Sequence, residues 1–578
     1  MQQMEATSSA DIGSSLYSVP QLRHIFLKIK RLVMKSTTLA PSENTGLKKW
    51  FPLFVLLAAQ FSTMSDNAGL AVSTEAMIAL FNASMAEIQM ANAIYPLVAA
   101  AGMITGGLTG LIIGWKRQML LGAALMASSA FVSAVAPNMM VLNTVARFSC
   151  GVAGCLLIPA VLANVAGIYK GKDQAIAFAA IAAFLGVASA LAPVIFGVMI
   201  DIAGFRAAFA VQGIYCAVLT AAVFIIIPNI DSDKFKGRVD FVGIAAAAIG
   251  LAFFVTGLLK VSEWGLVDPI GDFQLFGISP ALPSVLLGVA ILIGLIKWEK
   301  HFELTGGTPL LPQIFITNQQ VLRGLYLCAT VFLLFGFTSF VNVSYMQLVA
   351  GFNAIESASA LVCFAAGMII GSISTTKALS HLSCKRVTQL GFVLVSVGIL
   401  LMFFGFSVEG ITAWQYVSLL IFGTGCGIVA SQSSLVVTNA LPEKEARQSG
   451  GIQATFRNFG QAMGVAILGS IMLFSFTGEI QKGSIQDSML SPQTQQVISE
   501  QKLIPFSSNE MIVDMMKNSV IEKSEWQPVL DIVADSRLAS VQYTMFVLLV
   551  WMSLSIFVCN GLPNYSLMQD RKKEPVEL

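Results

Sequence analysis

The stretch KWFPLFVLLAAQFSTMSDNAGLAVS, Lys49 to Ser73, decides how the rest of the chain is read. Its apolar run is long enough to cross about 30 Å of hydrocarbon as one helix, and Asp66 lies inside it. A carboxylate at such a depth costs several kcal/mol and marks a functional site by default. Of the 32 acidic residues, Asp66 alone falls well inside a long apolar segment; Glu75 and Glu356 fall at segment ends and the others in connections or tails. His24, His301 and His381 sit in polar, basic connections. If protons cross a membrane through this chain, Asp66 is the one group of suitable chemistry to carry them.

The whole composition agrees with that reading. The chain is 56% hydrophobic and 11% charged, with a mean hydropathy of +0.76, whereas a soluble domain carries about 25% charged residues. This is an integral membrane protein embedded in a lipid bilayer. A net charge of +2 gives no reason to expect a nucleic-acid partner. Seven of the eight cysteines lie in apolar runs and Cys384 in a short basic connection, so no disulfides are expected. Cys150 and Cys155 have no histidine or carboxylate near them in sequence, which argues against a metal site. No phosphate-binding glycine loop and no nucleophile–base arrangement is visible, so neither ATP drive, a cofactor nor enzymatic chemistry is expected.

Apolar runs of about 20 residues recur along the chain. Fourteen are expected to span: roughly 51–73, 89–113, 118–137, 140–165, 175–200, 206–228, 240–260, 278–297, 324–348, 356–376, 387–407, 412–437, 449–475 and 541–562. They imply a tail (1–49), six helices (50–228), linkers with an inserted helix pair (229–323), six more helices (324–562) and a tail (563–578). A long polar loop, 476–540, interrupts the last group; part of it suits helix, the Asn509 region excepted, and no chemistry is read in it. In the first tail, Leu22, Ile25, Phe26, Ile29 and Leu32 share one helical face among Arg23, Lys28, Lys30 and Arg31. That pattern suits a helix on an anionic membrane surface or, equally, a solvated tail.

An even number of spans puts both termini on one side, and basic residues choose the side. Lys116, Arg117, Lys170, Lys172, Lys234, Lys236, Arg238, Lys377, Lys385, Arg386, Lys444 and Arg447 all fall in connections on the side of the termini. Only Arg206 and Lys260 fall in short connections on the other. Both termini are therefore expected in the cytoplasm, with the protein in the inner (plasma) membrane.

Two arginines, Arg147 and Arg457, are intramembrane. Arg147 opens RFSCGVAGCLLIPA (Arg147 to Ala160), which contains Gly151 and Gly154. It lies about 12 Å inside its span, and Asp66 lies at a similar depth, about 8 Å from the outer face, so the two can pair. Arginine stays protonated there and needs a partner: an acid, or backbone carbonyls if its role is only to hold helices together. The fifth span carries GVASALAPVIFGVMID (Gly186 to Asp201), with Pro193 able to bend a helix and Gly197 able to admit a neighbour. The thirteenth carries FRNFGQAMGVAILGS (Phe456 to Ser470), where Gly460 and Gly464 form a G-x-x-x-G face. Arg457 is placed to reach the cytoplasmic interface.

These motifs resemble those of the fourteen-helix drug:proton antiporters of the major facilitator superfamily. The resemblance covers about residues 50–475 and 541–562 and extends to GFRAAFAVQG (Gly204 to Gly213) and YMQLVAGFN (Tyr345 to Asn353). It implies an all-α membrane protein of major facilitator fold with helices arranged 6 + 2 + 6, and proton coupling through Asp66 and Arg147. In the fifth-span motif, Pro193 and Gly197 match, but Ala192 and Phe196 stand where the family has glycines. The loop after the second span departs further. It reads GGLTGLIIGWKRQ (Gly106 to Gln118), keeping Gly107, Gly114, Lys116 and Arg117 as a gate loop, while Gly110 or Leu111 replaces the family's acid. The usual charge latch cannot form.

The resemblance implies export of small lipophilic compounds in exchange for protons. The 25 methionines and 39 phenylalanines suit a pliable apolar cavity, though such residues more often only pack or face lipid. Two alternatives stay open: a narrow-substrate metabolite or siderophore transporter of the same superfamily, and a non-transporting membrane sensor. The first predicts a narrow substrate range, the second binding without flux.

Overall fold

The computed structural model describes residues 47–566 apart from 170, 230–239, 271–273, 276, 308, 408–412, 503, 505, 508 and 518. The basic stretch around Arg23 and the linker residues Lys234, Lys236 and Arg238 lie outside the described residues. Every regular element described is a helix, apart from an isolated bridge between Leu275 and Ile278.

The local signals for where helices begin are met one after another. Helix α1, Phe51–Ala71, starts with Pro52 in its first turn, where a missing N–H costs nothing. A short α2, Thr74–Phe81, ends on Asn82 in the left-handed region. Helix α3, Met85–Ile113, opens with a capping box: Glu87 N donates to Ser84 Oγ at 3.3 Å and Ser84 N to Glu87 Oε2 at 2.9 Å. Gly114, at φ +91°, makes the reversal into α4, Trp115–Val135. A π-helical segment, Leu142–Arg147, leads into α5, Phe148–Ile168. Helix α6, Gly171–Ile226, is two helices meeting at a kink on Gly204 (φ 81°).

The inserted pair is α7, Phe241–Leu259, and α8, Ala281–Leu304. Then come α9, Gln319–Phe337, running through a π turn (Thr338–Asn342) into α10, Val343–Leu348. Helices α11, Ala354–Lys377, α12, Cys384–Gly405, and α13, Ala413–Asn439, follow. Helix α14, Glu443–Met463, passes through a third π turn (Gly464–Leu468) into α15, Gly469–Gln486. The chain closes with α16, Pro492–Glu500, α17, Asn509–Lys517, and α18, Trp526–Val558. Among the described residues, 11 helical stretches are long and apolar enough to cross a membrane.

Without water to expel, helices in a bilayer associate by close packing, and small residues permit it. Between α11 and α13 the contact is backbone to backbone: a side chain at Gly367, Gly371, Gly423 or Gly427 would strike a main-chain atom of the other helix.

The region 476–540 differs from expectation. Helix α15 continues to Gln486 and α18 begins at Trp526, so the connection is shorter at both ends, and the Asn509 region is helical. The reason is amphipathic packing: Ile498, Phe506, Ile512 and Met516 bury against Val529 and Val533. Cys384 also differs, being a buried residue at the start of α12 rather than a loop residue.

The first and last groups of helices meet at the face carrying the 82–84 turn, the external face in the expected topology. There Gln89 Nε2 of α3 donates to Val465 O (2.9 Å), Ala466 O (3.1 Å) and Ser470 Oγ (3.1 Å). Both carbonyls lie in the third π turn, a widened turn with altered carbonyl pairing. Gln347 Nε2 donates to Val72 O at 2.9 Å and its Oε1 accepts from Glu75 N at 3.1 Å. Ser470 Oγ also donates to Leu258 O at 2.9 Å, which ties the inserted pair to the same joint.

Candidate functional site

Asp66 and Arg147 meet in the interior, each with 0% side-chain exposure. Arg147 Nη1 donates to Asp66 Oδ2. Arg147 Nε donates to Ala91 O at 3.2 Å and Nη2 to Asn67 Oδ1 at 3.3 Å, and the guanidinium lies 5.7 Å from the Tyr95 ring centre. The cation therefore has both an acid and a backbone carbonyl, combining the two partners open to it from sequence. Cys150 Sγ donates to Asp66 Oδ2 at 3.0 Å. Asp66 Oδ1 is buried and, among the described residues, without a hydrogen-bond partner. Two donors thus converge on one oxygen and leave the other as a buried acceptor, where an unmade bond is expensive. Chemically, Oδ1 is the atom of this pair able to receive a proton.

The surrounding motif residues hold the pair in position. A side chain at Gly151 would come within 2.6 Å of Val98 Cβ, and one at Gly154 within 2.8 Å of the Tyr95 hydroxyl, so both glycines let α5 press against α3 beside Arg147. On the other flank, Gln212 Nε2 donates to Ser62 O and Gln212 Oε1 accepts from Ser65 Oγ, both at 3.1 Å, which fixes α1 next to Asp66.

Pro193 and Gly197 are not at the pair. Pro193 lies inside α6, and Gly197 backs onto the start of α11, where an added Cβ would be 2.8 Å from Ala354 O. Asp201 Oδ2 accepts from Ile355 N at 3.0 Å in the same place. Phe196, where the family resemblance leads one to expect glycine, lays its ring against Gly69 of α1, so the small residue at this contact is on the facing helix. Gly460 and Gly464 press α14 and its π turn onto the Ala329 and Leu333 backbone of α9.

The gate loop lies apart from Asp66. Gly107 is in open space, Gly114 makes the turn, Lys116 Nζ lies 5.9 Å from the Phe224 ring centre and Arg117 is exposed. At Gly110 the Trp115 ring and Gln118 Oε1 fill the space any side chain would need, so an acid has no room there. Gln118 Nε2 donates to Gly106 O (2.7 Å) and Leu156 O (2.9 Å), giving an uncharged tie in place of a charge latch. Arg457 is also elsewhere, with Nη2 donating to Ser434 Oγ at 2.8 Å.

Sequence reasoning missed Gln89, Gln118 and Asn143, whose amides are buried at the joints. It also missed Asp240 and Glu299, which flank Gly243 at the base of the inserted pair, where Asp240 Oδ1 accepts from Trp298 Nε1 at 2.9 Å and Glu299 Oε2 from Leu310 N at 2.9 Å. Their placement at span ends resembled that of ordinary loop acids. Among the described residues no three His, Cys, Asp or Glu side chains come together as metal ligands.

Many lipid-length helices packed round a buried charge pair define a multi-pass membrane protein, and its family and relatives make it a transporter rather than an enzyme. A family model described as Major Facilitator Superfamily matches residues 55–465, and the chain belongs to that superfamily. It is 26% identical over 458 residues to a probable actinorhodin transporter of Streptomyces coelicolor, covering 78% of this chain and 76% of that one. It is 24% identical over 457 residues to a multidrug efflux pump of Mycolicibacterium smegmatis, covering 74% and 82%. Among solved structures, it is similar to an inward-facing, unoccupied bacterial homologue of the human lysosomal transporter Spinster. The TM-score is 0.60 at 11% identity, over 90% of this chain and 98% of that one.

Proposed function

We propose that this protein is a proton-coupled exporter of small lipophilic compounds, built from fourteen crossings arranged 6 + 2 + 6 over residues 50–228, 229–323 and 324–562. Both termini lie in the cytoplasm and the bilayer is the plasma membrane. The observation that carries the reading is the buried Asp66–Arg147 pair with its unpartnered Oδ1. A proton arriving at Oδ1 from outside neutralises the acid and weakens its hold on Arg147. Because removing one charge of a buried pair leaves the other uncompensated, protonation biases the helices toward the inward-facing state. Loss of the proton inside, exchanged for substrate, completes the cycle. Pro193 and Gly197, where α6 meets α11, would allow the bend, and the Gly460–Gly464 face and the gate loop would guide the helices past one another.

Relatives named for single antibiotics, actinorhodin and tetracenomycin C, favour a second reading, an exporter of narrow range. Purified protein in liposomes under an imposed pH gradient separates the two. Gradient-driven flux of several unrelated lipophilic cations and neutral drugs, lost in Asp66→Asn, is the expected result. Flux confined to one chemical series would favour the narrow range. Unchanged flux in Asp66→Asn would sink the proton-carrier role.

A further inference from the structure

A chamber of about 730 Å³ lies between α3, α5 and the inserted helix α7. One face of α3 lines it from Met90 to Thr109, roughly 28 Å at 1.5 Å per residue. The α7 side is given by Ile244, Ala248 and Ala252. This wall is almost wholly apolar, and Phe148, at its edge, is 54% exposed. The chamber thus opens sideways, toward lipid.

One polar feature stands out against that lining. Asn143 is 3% exposed, its Nδ2 donates to Glu87 O at 3.0 Å, and its Oδ1 is buried without a partner. A lone unsatisfied acceptor in an apolar chamber favours a ligand that brings one donor. Asn143 also belongs to the π segment Leu142–Arg147, so the same turn presents Asn143 to the chamber and Arg147 to Asp66. π segments of this kind recur at functional sites.

We propose that this chamber is a side-entry binding site for an elongated apolar molecule carrying one hydroxyl or N–H donor, held by Asn143 Oδ1. It rests on the reading that the protein exports lipophilic compounds, and it places their first binding in the lateral chamber. Occupation engages the π segment, which links arrival of the ligand to the seat of Arg147.

The test uses the purified full-length protein in micelles and two fluorescent probes, 1-hydroxypyrene and 1-methoxypyrene, which differ in the donor. The hydroxyl compound is expected to bind roughly tenfold more tightly, the scale of one buried hydrogen bond. Asn143→Leu is expected to bring it down to the level of the methyl ether. Ala248→Trp, which puts bulk into the chamber from α7, is expected to weaken both probes at least as much. Equal affinity of the two probes for the native protein, or probe binding unaffected by Ala248→Trp, overturns the proposal. So does co-purified phospholipid that holds the chamber and that 1-hydroxypyrene does not displace. Binding with the expected pattern but without proton-driven flux of any compound would defeat the exporter reading and leave the chamber. Flux of other lipophilic compounds with no probe binding would do the reverse.

Discussion

Arg147 and Arg457 both lie in long apolar helical stretches, and the protein treats them differently. Arg147 is fully buried and held by a carboxylate, a carbonyl and the face of a tyrosine. Arg457 is half-buried, donates to the Ser434 hydroxyl and lies 5.6 Å from the Phe332 ring centre. The difference teaches that depth in sequence does not assign a role. The burial of Arg147 is offset by a counter-charge, and in the proposed function that counter-charge is what gives a proton something to compete with. Arg457 keeps partial exposure and needs only packing and one neutral acceptor.

Breaking the acid is the strongest attack on this contrast. Asp66→Asn leaves Arg147 buried and uncompensated and is expected to destabilise the protein by about 3–5 kcal/mol, seen as a lowered unfolding midpoint in detergent. A smaller effect is expected from Asp66→Asn combined with Arg147→Met, since removing both charges removes the unpaired one; most of the lost stability returns while proton-driven flux stays absent. If the double variant is no more stable than the single, the pair is not the coupled unit inferred from its geometry. Smaller still is Arg457→Met, which loses one hydrogen bond and a ring contact and is expected to cost about 1 kcal/mol with flux retained. A larger loss of flux than of stability there would erase the contrast.

The smallest expected effect is at Glu75, which lies outside the spans near the joint formed by Gln347. Burial, then the charge of Asp201, raises its pKa above the ordinary 4.5. The folded protein therefore favours the protonated acid, and stability is expected to fall as pH rises through 4.5 into that raised range. The loss should be under about 1 kcal/mol, because the group is largely exposed. Glu75→Gln should flatten the unfolding midpoint over the same window; a profile that stays as steep would assign the dependence to another group.

Much of this was legible in the chain. Asp66 stood out by scarcity, and its depth, similar to that of Arg147, made a pair possible; the structure contains one. The helix starts at Ser84 and Asn353 carry a signal that the span assignment did not use: each cap is followed three residues later by glutamate. What could not be read are contacts between uncharged groups far apart in sequence. Gln89 meets Val465 across hundreds of residues, and Trp115 fills the space beside Gly110 only because Gly114 turns the chain back. The 476–540 loop was misjudged for a related reason: its few apolar residues are too sparse for a membrane helix, yet enough to bury short amphipathic helices against α18.

The Gln89 joint has a consequence for how opening at that face responds to conditions. A primary amide has no titration between acid and base, and its grip on two carbonyls and a hydroxyl carries no net charge for salt to screen. The fastening at Gln89 is thus blind to buffer and ionic strength, whereas in the proposed cycle the Asp66–Arg147 contact is the one that protons act on. Under the proposed cycle, a threshold of constant height set beside a tunable bias would keep leakage low in an unenergised membrane and still let a modest gradient decide which way the helices swing.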